Sequence, residues 1–328
     1  MKKTLLAFAI ATITTGANAA NIYSDDQNSL DLKGEIDAYL STSELKNASI
    51  GNYKNDPDVD VWAKIQVDAT HKLNDSVTVF GSFEIENGVG FGFDSSEDKD
   101  VTTDDEYIGA TLGENFGFAV GEIGDFGDSL DAIIIDNTNE GVGYVDDVAG
   151  RFESKSHGIS FKYDTDNLTL IADTYLSAEQ NQDAVYGLSA SYDIAGFNIG
   201  ASYQDRGNRG TYDTTNTGDN DVYGIKLGYS FSDFSIASHY VVEQVNSVDY
   251  EVVGVAADYT IEDVRLYTSA YVADADGSSD EITTYTLGAD YAFSENLLGF
   301  VEYSAADNND YEDNAEYSQS VAGVYFTF

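Results

Sequence analysis

Residues 30–40 read Leu-Asp-Leu-Lys-Gly-Glu-Ile-Asp-Ala-Tyr-Leu, and apolar and polar side chains alternate along them with a period of two. The even-numbered positions are mostly aliphatic, whereas the odd-numbered ones include three carboxylates and a lysine. Successive side chains of a β-strand point to opposite faces of the sheet. The stretch therefore predicts a strand with one apolar face and one charged face.

The same alternation recurs along the rest of the chain, beginning with residues 59–69. Short turn signals are predicted at 74–75, 114–115, 166–167, 195–196, 232–233, 262–263 and 295–296. Longer polar links are predicted at 41–58, 87–104, 121–151, 179–183, 206–221, 245–248, 274–280 and 307–316. Together they delimit sixteen strands of roughly ten residues, the length that a tilted strand needs to cross a bilayer.

Charged residues occupy the polar face of these strands. They help to distinguish a β-sandwich from a membrane barrel, since apolar and polar side chains alternate along the strands of both. A β-sandwich would bury its inner face in a dry core, where an unpaired charge is very costly. An even-numbered barrel of sixteen strands instead encloses an aqueous channel. We therefore predict an all-β, 16-stranded antiparallel transmembrane β-barrel with short periplasmic turns and long extracellular loops. The residues predicted to line its lumen are Lys33, Asp37, Glu84, Lys162 and Lys226.

The N-terminus has the features of a secretory signal. Lys2 and Lys3 precede an apolar run at 5–13 and the sequence Ala17-Asn18-Ala19. This pattern predicts a signal peptide, residues 1–19, that is cleaved after Ala19. The exported chain, residues 20–328, is expected to form a single barrel domain.

Composition excludes several classes of function. The chain has no cysteine, so it has no disulfide framework or thiolate metal site. Without Lys2 and Lys3, 13 basic residues face 59 acidic ones, a net charge of −46. Such a charge excludes nucleic acid as a partner, because phosphate contacts need Lys and Arg. We find no nucleophile or zinc-protease motif, so we expect no enzyme activity, no cofactor and no metal centre.

The longest link, Gly121–Arg151, reads GEIGDFGDSLDAIIIDNTNEGVGYVDDVAGR and combines many acids with the apolar run Ala132–Ile135. Such a segment needs a wall on one side and water on the other. We therefore predict that residues 123–154 fold into the barrel and narrow it. Its candidate constriction residues are Asp125, Asp128, Asp131 and Asp136. Plain exposure of these aspartates to solvent is the alternative.

The chain resembles the Gram-negative general-diffusion porins over essentially its whole exported length. The resemblance is carried by residues 30–38, 197–203 and 223–231, by the long third loop that begins at Gly121, and by the terminal Phe328. It implies a homotrimer of sixteen-stranded barrels in outer-membrane lipid and lipopolysaccharide, with the third loop folded inward. It also implies that the C-terminal strand, ending in Phe328, is the signal read by the barrel-assembly machinery.

In that family, acids of the third loop face a basic cluster on the opposite wall, and this sequence departs from the pattern. The matching positions are Glu35 and Glu122, where the family has basic residues, Lys64 in place of an arginine, and Arg151, which is kept. A wet constriction lined by carboxylates concentrates cations and repels anions. We therefore predict a weakly cation-preferring pore for passive diffusion of small hydrophilic solutes.

Two alternatives remain open from the sequence. A substrate-selective channel, for example one for sugars, would use aromatic residues such as Tyr39, Trp62 and Phe80, whose strand parity points them inward. A closed structural or adhesive barrel would conduct nothing. Single-channel recording distinguishes all three.

Overall fold

The computed structural model describes residues 20–47, 51–87, 101–141, 157–177, 183–207, 220–245, 248–275, 281–308 and 315–328. The predicted signal peptide and Arg151 lie outside these ranges, as does the second half of the predicted constriction loop. Among the described residues there is no helix of sufficient length and apolar character to cross a membrane.

Strands account for nearly all of the described chain. Their bounds are β1 Ala20–Ser24, β2 Asn28–Asn47, β3 Gly51–Asn74, β4 Val77–Asn87, β5 Val101–Leu112, β6 Phe116–Gly121, β7 Gly158–Asp164, β8 Leu168–Tyr175, β9 Val185–Ile194, β10 Phe197–Asp205, β11 Asp221–Phe231, β12 Phe234–Val245, β13 Val248–Ile261, β14 Val264–Ala275, β15 Glu281–Ser294, β16 Leu297–Asn308 and β17 Ala315–Thr327. A single 3₁₀ turn, Ser129–Ala132, lies between β6 and β7.

Strands β2 to β17 form a closed antiparallel ring. Each strand pairs with the next along the chain, and β17 closes the ring by pairing with β2 from Ala315↔Asn47 to Thr327↔Glu35. Closure satisfies the backbone hydrogen bonds of every strand and removes sheet edges, which a bilayer does not tolerate. The predicted sixteen-stranded barrel is confirmed.

The alternation of apolar and polar side chains correctly predicts which residues face outward from the barrel and which face its interior. Along β10, Phe197, Ile199 and Tyr203 are exposed on the outside, whereas Asn198 and Ser202 between them are buried inside. An exterior of this kind would be an aggregation hazard in water, but it suits the hydrocarbon of a membrane.

A short N-terminal strand was not predicted. Strand β1 pairs with residues 29–32 of β2, on the edge that β17 leaves open because β17 ends opposite Glu35. Phe328 exchanges two backbone hydrogen bonds with Gly34, at 2.8 and 2.9 Å. Both ends of the described barrel therefore lie on the same edge of β2. Five residues are too few for a period-two pattern to stand out in a sequence.

The prediction of a loop at residues 41–58 was wrong for residues 41–47 and 51–58, whereas residues 48–50 lie outside the described ranges. Strand β2 continues to Asn47 and β3 starts at Gly51, with one register shift between Ser41 and Ser43. The segment is polar on both faces, so it lacks the apolar stripe that identifies membrane strands. Its backbone still pairs, because the neighbouring ladders continue past the apolar band.

Candidate functional site

Residues 122–141, which we call the strap, leave the wall after β6 and run along the inside of the barrel. The 3₁₀ turn Ser129–Ala132 starts with a reciprocal cap: the Asp128 carboxylate accepts from the Leu130 N–H at 2.7 Å, and the Asp131 carboxylate accepts from the Asp128 N–H at 3.2 Å. This capping box satisfies two backbone donors that would otherwise lack partners. The Tyr175 hydroxyl also donates to Asp128, at 2.5 Å, so the turn is fixed to β8.

An apolar cluster holds the middle of the strap against the wall. Leu130 and Ile133–Ile135 are buried against the inner face of β11 to β14. Full burial of four such side chains stabilises this seat by roughly 6–12 kcal/mol. At Gly200 on β10, a Cβ would overlap the carbonyl oxygen of Ala132. Glycine at this position therefore lets the strap reach the wall.

Polar groups hold the end of the strap. Both oxygens of the Glu302 carboxylate accept backbone N–H groups, from Asn139 at 2.9 Å and from Glu140 at 3.2 Å. The Tyr267 hydroxyl donates to the same carboxylate at 2.8 Å. The Arg265 guanidinium donates to the Asn137 carbonyl at 3.0 Å and forms a 2.6 Å ion pair with Asp290 on β15. We call Glu302, Tyr267 and Arg265 the clamp.

These contacts take the strap past the strands from β7 to β17 in succession. Its two ends therefore flank the inner face of β2 to β5. Asp125, at the start, is close enough to Lys64 and Glu84 to interact with them electrostatically. Glu140, at the end, accepts a hydrogen bond from the Tyr325 hydroxyl at 2.6 Å and interacts electrostatically with Asp37.

The inner face of β2 to β5 is strongly acidic. Lys64 on β3 lies among these acids, with its ammonium 3.3 Å from Glu84 and 4.0 Å from Glu35. A bulge between β4 and β5, with a positive φ at Asp105, adds a second aspartate beside Asp104. We call this group the acidic wall: Glu35, Asp37, Glu84, Glu86, Asp104 and Asp105.

Together the acidic wall, Asp125 and Glu140 place eight carboxylates around Lys64. Three of them, Glu84, Glu86 and Asp104, bring oxygens within 4.8 Å of one another. Hard divalent cations take oxygen ligands of this type. Glu35 and Lys64 keep about a quarter of their side-chain area exposed, so ions in the lumen reach both.

The ionisation of Glu140, near the end of the strap, is altered by its surroundings. Burial raises its pKa to about 7, against hydrogen bonds from Tyr325 and Tyr39 that lower it, while Glu302 and Glu35 raise it further. The Glu140 carboxyl is therefore neutral in mildly acidic solution and gains its charge near neutral pH.

The structure places the predicted constriction residues in two groups. Glu35, Lys64 and Asp125 lie together at the acidic wall. Asp128 and Asp131 instead cap the 3₁₀ turn. Of the remaining strap acids, Asp136 accepts hydrogen bonds from Thr138, and the Glu122 N–H bonds to a β5 carbonyl.

The predicted lumen residues also divide. Asp37 and Glu84 belong to the acidic wall, whereas Lys33 forms a 2.6 Å ion pair with Asp68. Lys226 is buried near Asp131, and Lys162 donates to a strap carbonyl at 3.4 Å. The two lysines on β7 and β11 therefore support the strap.

Sequence reasoning missed Glu86, Asp104, Asp105 and Glu140 as members of the site, and it missed the clamp. The parity of β4 already placed Glu86 with Glu84. Asp104 was assigned to the link 87–104, because the acids before β5 hide where the strand starts, and Asp105 follows it directly. Nothing local in the sequence indicates how far the strap travels.

A closed sixteen-stranded barrel with an apolar exterior, an acidic interior and an internal loop defines a water-filled outer-membrane channel. Residues 6–311 match the family model described as Gram-negative porin. The chain belongs to this family, and its location is the outer membrane.

Three comparisons illustrate the relationship. The chain is 26% identical to Outer membrane protein U of Vibrio parahaemolyticus, over 93% of this chain and 89% of that protein. It is 28% identical to a Monosaccharide porin of a Halomonas species, over 66% of this chain and 62% of that protein. Its fold matches OmpT of Vibrio cholerae in trimer form with a TM-score of 0.68 at 17% identity, over 92% and 100% of the two chains. The family model and the Halomonas relative are named as porins, which are channels and not enzymes.

Proposed function

We propose that this porin is a weakly cation-preferring channel for passive diffusion of small hydrophilic solutes and ions. The observation that carries the proposal is the excess of carboxylates around Lys64 where the strap flanks β2 to β5. The proposed constriction comprises Glu35, Lys64, Asp125, the rest of the acidic wall and Glu140, with Glu122 and Arg151 carried over from the sequence. Asp128, Asp131 and Asp136 are proposed to contribute to the constriction indirectly, because they fix the backbone conformation of the strap.

The expected preference is modest. A carboxylate about 5 Å from a monovalent cation attracts it by roughly 0.8 kcal/mol in water. Several such groups add up in a narrow passage, where low-dielectric walls focus the field. Salt screens them, since the Debye length is about 10 Å at 0.1 M and about 3 Å at 1 M. The preference is therefore expected to be largest in dilute salt.

The test is the reversal potential of the reconstituted protein under a KCl gradient near 0.1 M. A potential of the sign set by K⁺ is expected, and one set by Cl⁻ contradicts the proposal. The double variant Glu35→Lys with Glu122→Arg is expected to move the potential toward Cl⁻. An unchanged potential would remove these two residues from the constriction.

We further propose that the chain assembles as a homotrimer in lipid and lipopolysaccharide, and that residues 1–19 are cleaved on export. The trimer form of the Vibrio cholerae protein supports the first part. Insertion by the barrel-assembly machinery is proposed to depend on Phe328. Mass spectrometry of the purified protein checks the cleavage site and the stoichiometry, and deletion of Phe328 is expected to lower the yield of inserted barrel.

A sugar-selective channel is the second candidate. Tyr39, Phe300 and Tyr325 form an edge-to-face aromatic cluster with Trp62 packed against it, and one relative is named a monosaccharide porin. Phe80, in contrast, packs in a separate cluster with Phe126. Interruption of the ionic current by glucose favours this candidate, and a barrel that conducts nothing favours the closed structural one.

A further inference from the structure

A carboxylate and an indole face each other where β2 meets β3. Asp37 and Trp62 are direct cross-strand partners, so both side chains lie on the inner face. Asp37 is only 4% exposed, and one of its oxygens accepts from the Tyr39 hydroxyl at 3.1 Å. Its other oxygen, Oδ1, has no hydrogen-bond partner. A buried carboxylate oxygen in this state is costly, so the site lacks a donor.

The surrounding charge indicates what kind of donor is missing. Glu35 lies two residues before Asp37 on the same face, and both Glu35 and Glu140 interact electrostatically with Asp37. Lys64 also interacts electrostatically with Asp37, but this one cation faces three carboxylates. A neutral hydroxyl donor would satisfy the Asp37 oxygen and leave the remaining negative charge uncompensated. A cation that carries N–H groups compensates both.

Trp62 supplies a surface that already binds an ammonium. The Lys64 ammonium lies 5.4 Å from the centre of the Trp62 ring, within the range of a cation–π contact. The indole N–H donates to Glu86 at 3.0 Å, which fixes the orientation of the ring. Lys64 is closer to Glu84 than to Glu35, so it can remain paired when another cation occupies the ring.

We propose that Asp37, Trp62 and Glu35 form a subsite for organic cations that combine N–H donors with an apolar body, namely primary alkylammonium or guanidinium groups. The inference rests on the proposed cation-preferring channel and names the solutes that it favours. The N–H groups bond the Asp37 oxygen, the positive charge faces Glu35 and Trp62, and the apolar body lies against the aromatic cluster. Potassium lacks the apolar body, and tetramethylammonium lacks the N–H donors.

The test compares cations on the intact reconstituted channel. n-Butylammonium is expected to interrupt the K⁺ current at a concentration about tenfold lower than tetramethylammonium, since only the former can donate to Asp37. n-Butanol controls for the apolar body. Trp62 is the only tryptophan in the chain, so its fluorescence is expected to respond to n-butylammonium over the same concentrations.

Variants separate the two halves of the subsite. Asp37→Asn and Trp62→Leu are each expected to raise the blocking concentration of n-butylammonium roughly fivefold, whereas Trp62→Phe keeps most of the block. Asp193→Asn, on β9, is the matched control and is expected to have no effect.

Equal block by both ammonium ions, or block unchanged in Asp37→Asn and Trp62→Leu, overturns the inference. Block by glucose alone also overturns it, in favour of the sugar channel. The KCl reversal potential tests the cation-preferring channel separately from the subsite. Cation preference without n-butylammonium block removes only the subsite, whereas anion preference removes the channel proposal as well.

Discussion

The clamp makes a specific prediction about Glu302. This carboxylate accepts two backbone N–H groups of the strap and the hydroxyl of Tyr267. Each hydrogen bond to a charged acceptor contributes about 1.5–3 kcal/mol. When the strap detaches, water can hydrogen-bond the backbone N–H groups that Glu302 had bound. We therefore take the lower value, about 1.5 kcal/mol for each bond, which gives about 3 kcal/mol for the two backbone hydrogen bonds. Their loss in Glu302→Ala raises the detached fraction of the strap end about a hundredfold.

Single-channel recording measures this effect. Glu302→Ala is expected to have a higher mean conductance and more open-channel noise than the wild type, and Glu302→Gln, which keeps one acceptor oxygen, is expected to fall between them. The β16 ladder does not depend on this side chain, so the heat-induced mobility shift of the barrel on a gel should be unchanged. Glu316→Ala removes an exposed carboxylate paired with Lys46 and is the control. Conductance and noise of Glu302→Ala equal to those of Glu316→Ala would show that Glu302 does not hold the strap.

Two further predictions concern the strap. The raised pKa of Glu140 means that its contribution to seating the strap is complete below its ordinary value of 4.5 and is lost as the pH rises through about 7; cation preference is therefore expected to increase more between pH 6 and pH 8 in the wild type than in Glu140→Gln, as measured by reversal potentials. Gly200→Val is expected to displace the strap because its side chain overlaps the Ala132 carbonyl, which increases conductance; Ala201→Val, on the outer face of the same strand, is the control, and equal conductance of the two variants would contradict the close approach.

Much of the fold could be predicted because a membrane barrel repeats one local rule. Residues 30–40 already separate a lipid face from a lumen face, and counting such stretches gives the closed ring of sixteen strands. The rule fails where the membrane ends. Residues 41–58 are polar on both faces, so nothing in their pattern distinguishes a paired strand from a loop.

The site was predicted only where strand parity determines it. Parity placed Glu35 and Lys64 on one face of adjacent strands, and the register brings them together. Asp104 and Asp105 join the site through a bulge between β4 and β5, and Glu140 joins it through the path of the strap. Tertiary packing sets both the bulge and the path. The same packing makes Asp128 a helix cap, a role that its position in an acidic loop did not indicate.

We expect the inner face of β2 to border a water-filled, acid-lined passage while its outer face borders lipid. The chain has no cysteine, so Glu35→Cys and Ile36→Cys can each be treated with a positively charged, membrane-impermeant thiol reagent while the KCl reversal potential is recorded. Position 35 is expected to react and to move the potential toward Cl⁻, whereas position 36 is expected not to react. An unreactive position 35, or equal reaction at both positions, would show that the two faces of β2 do not border water and lipid in this way.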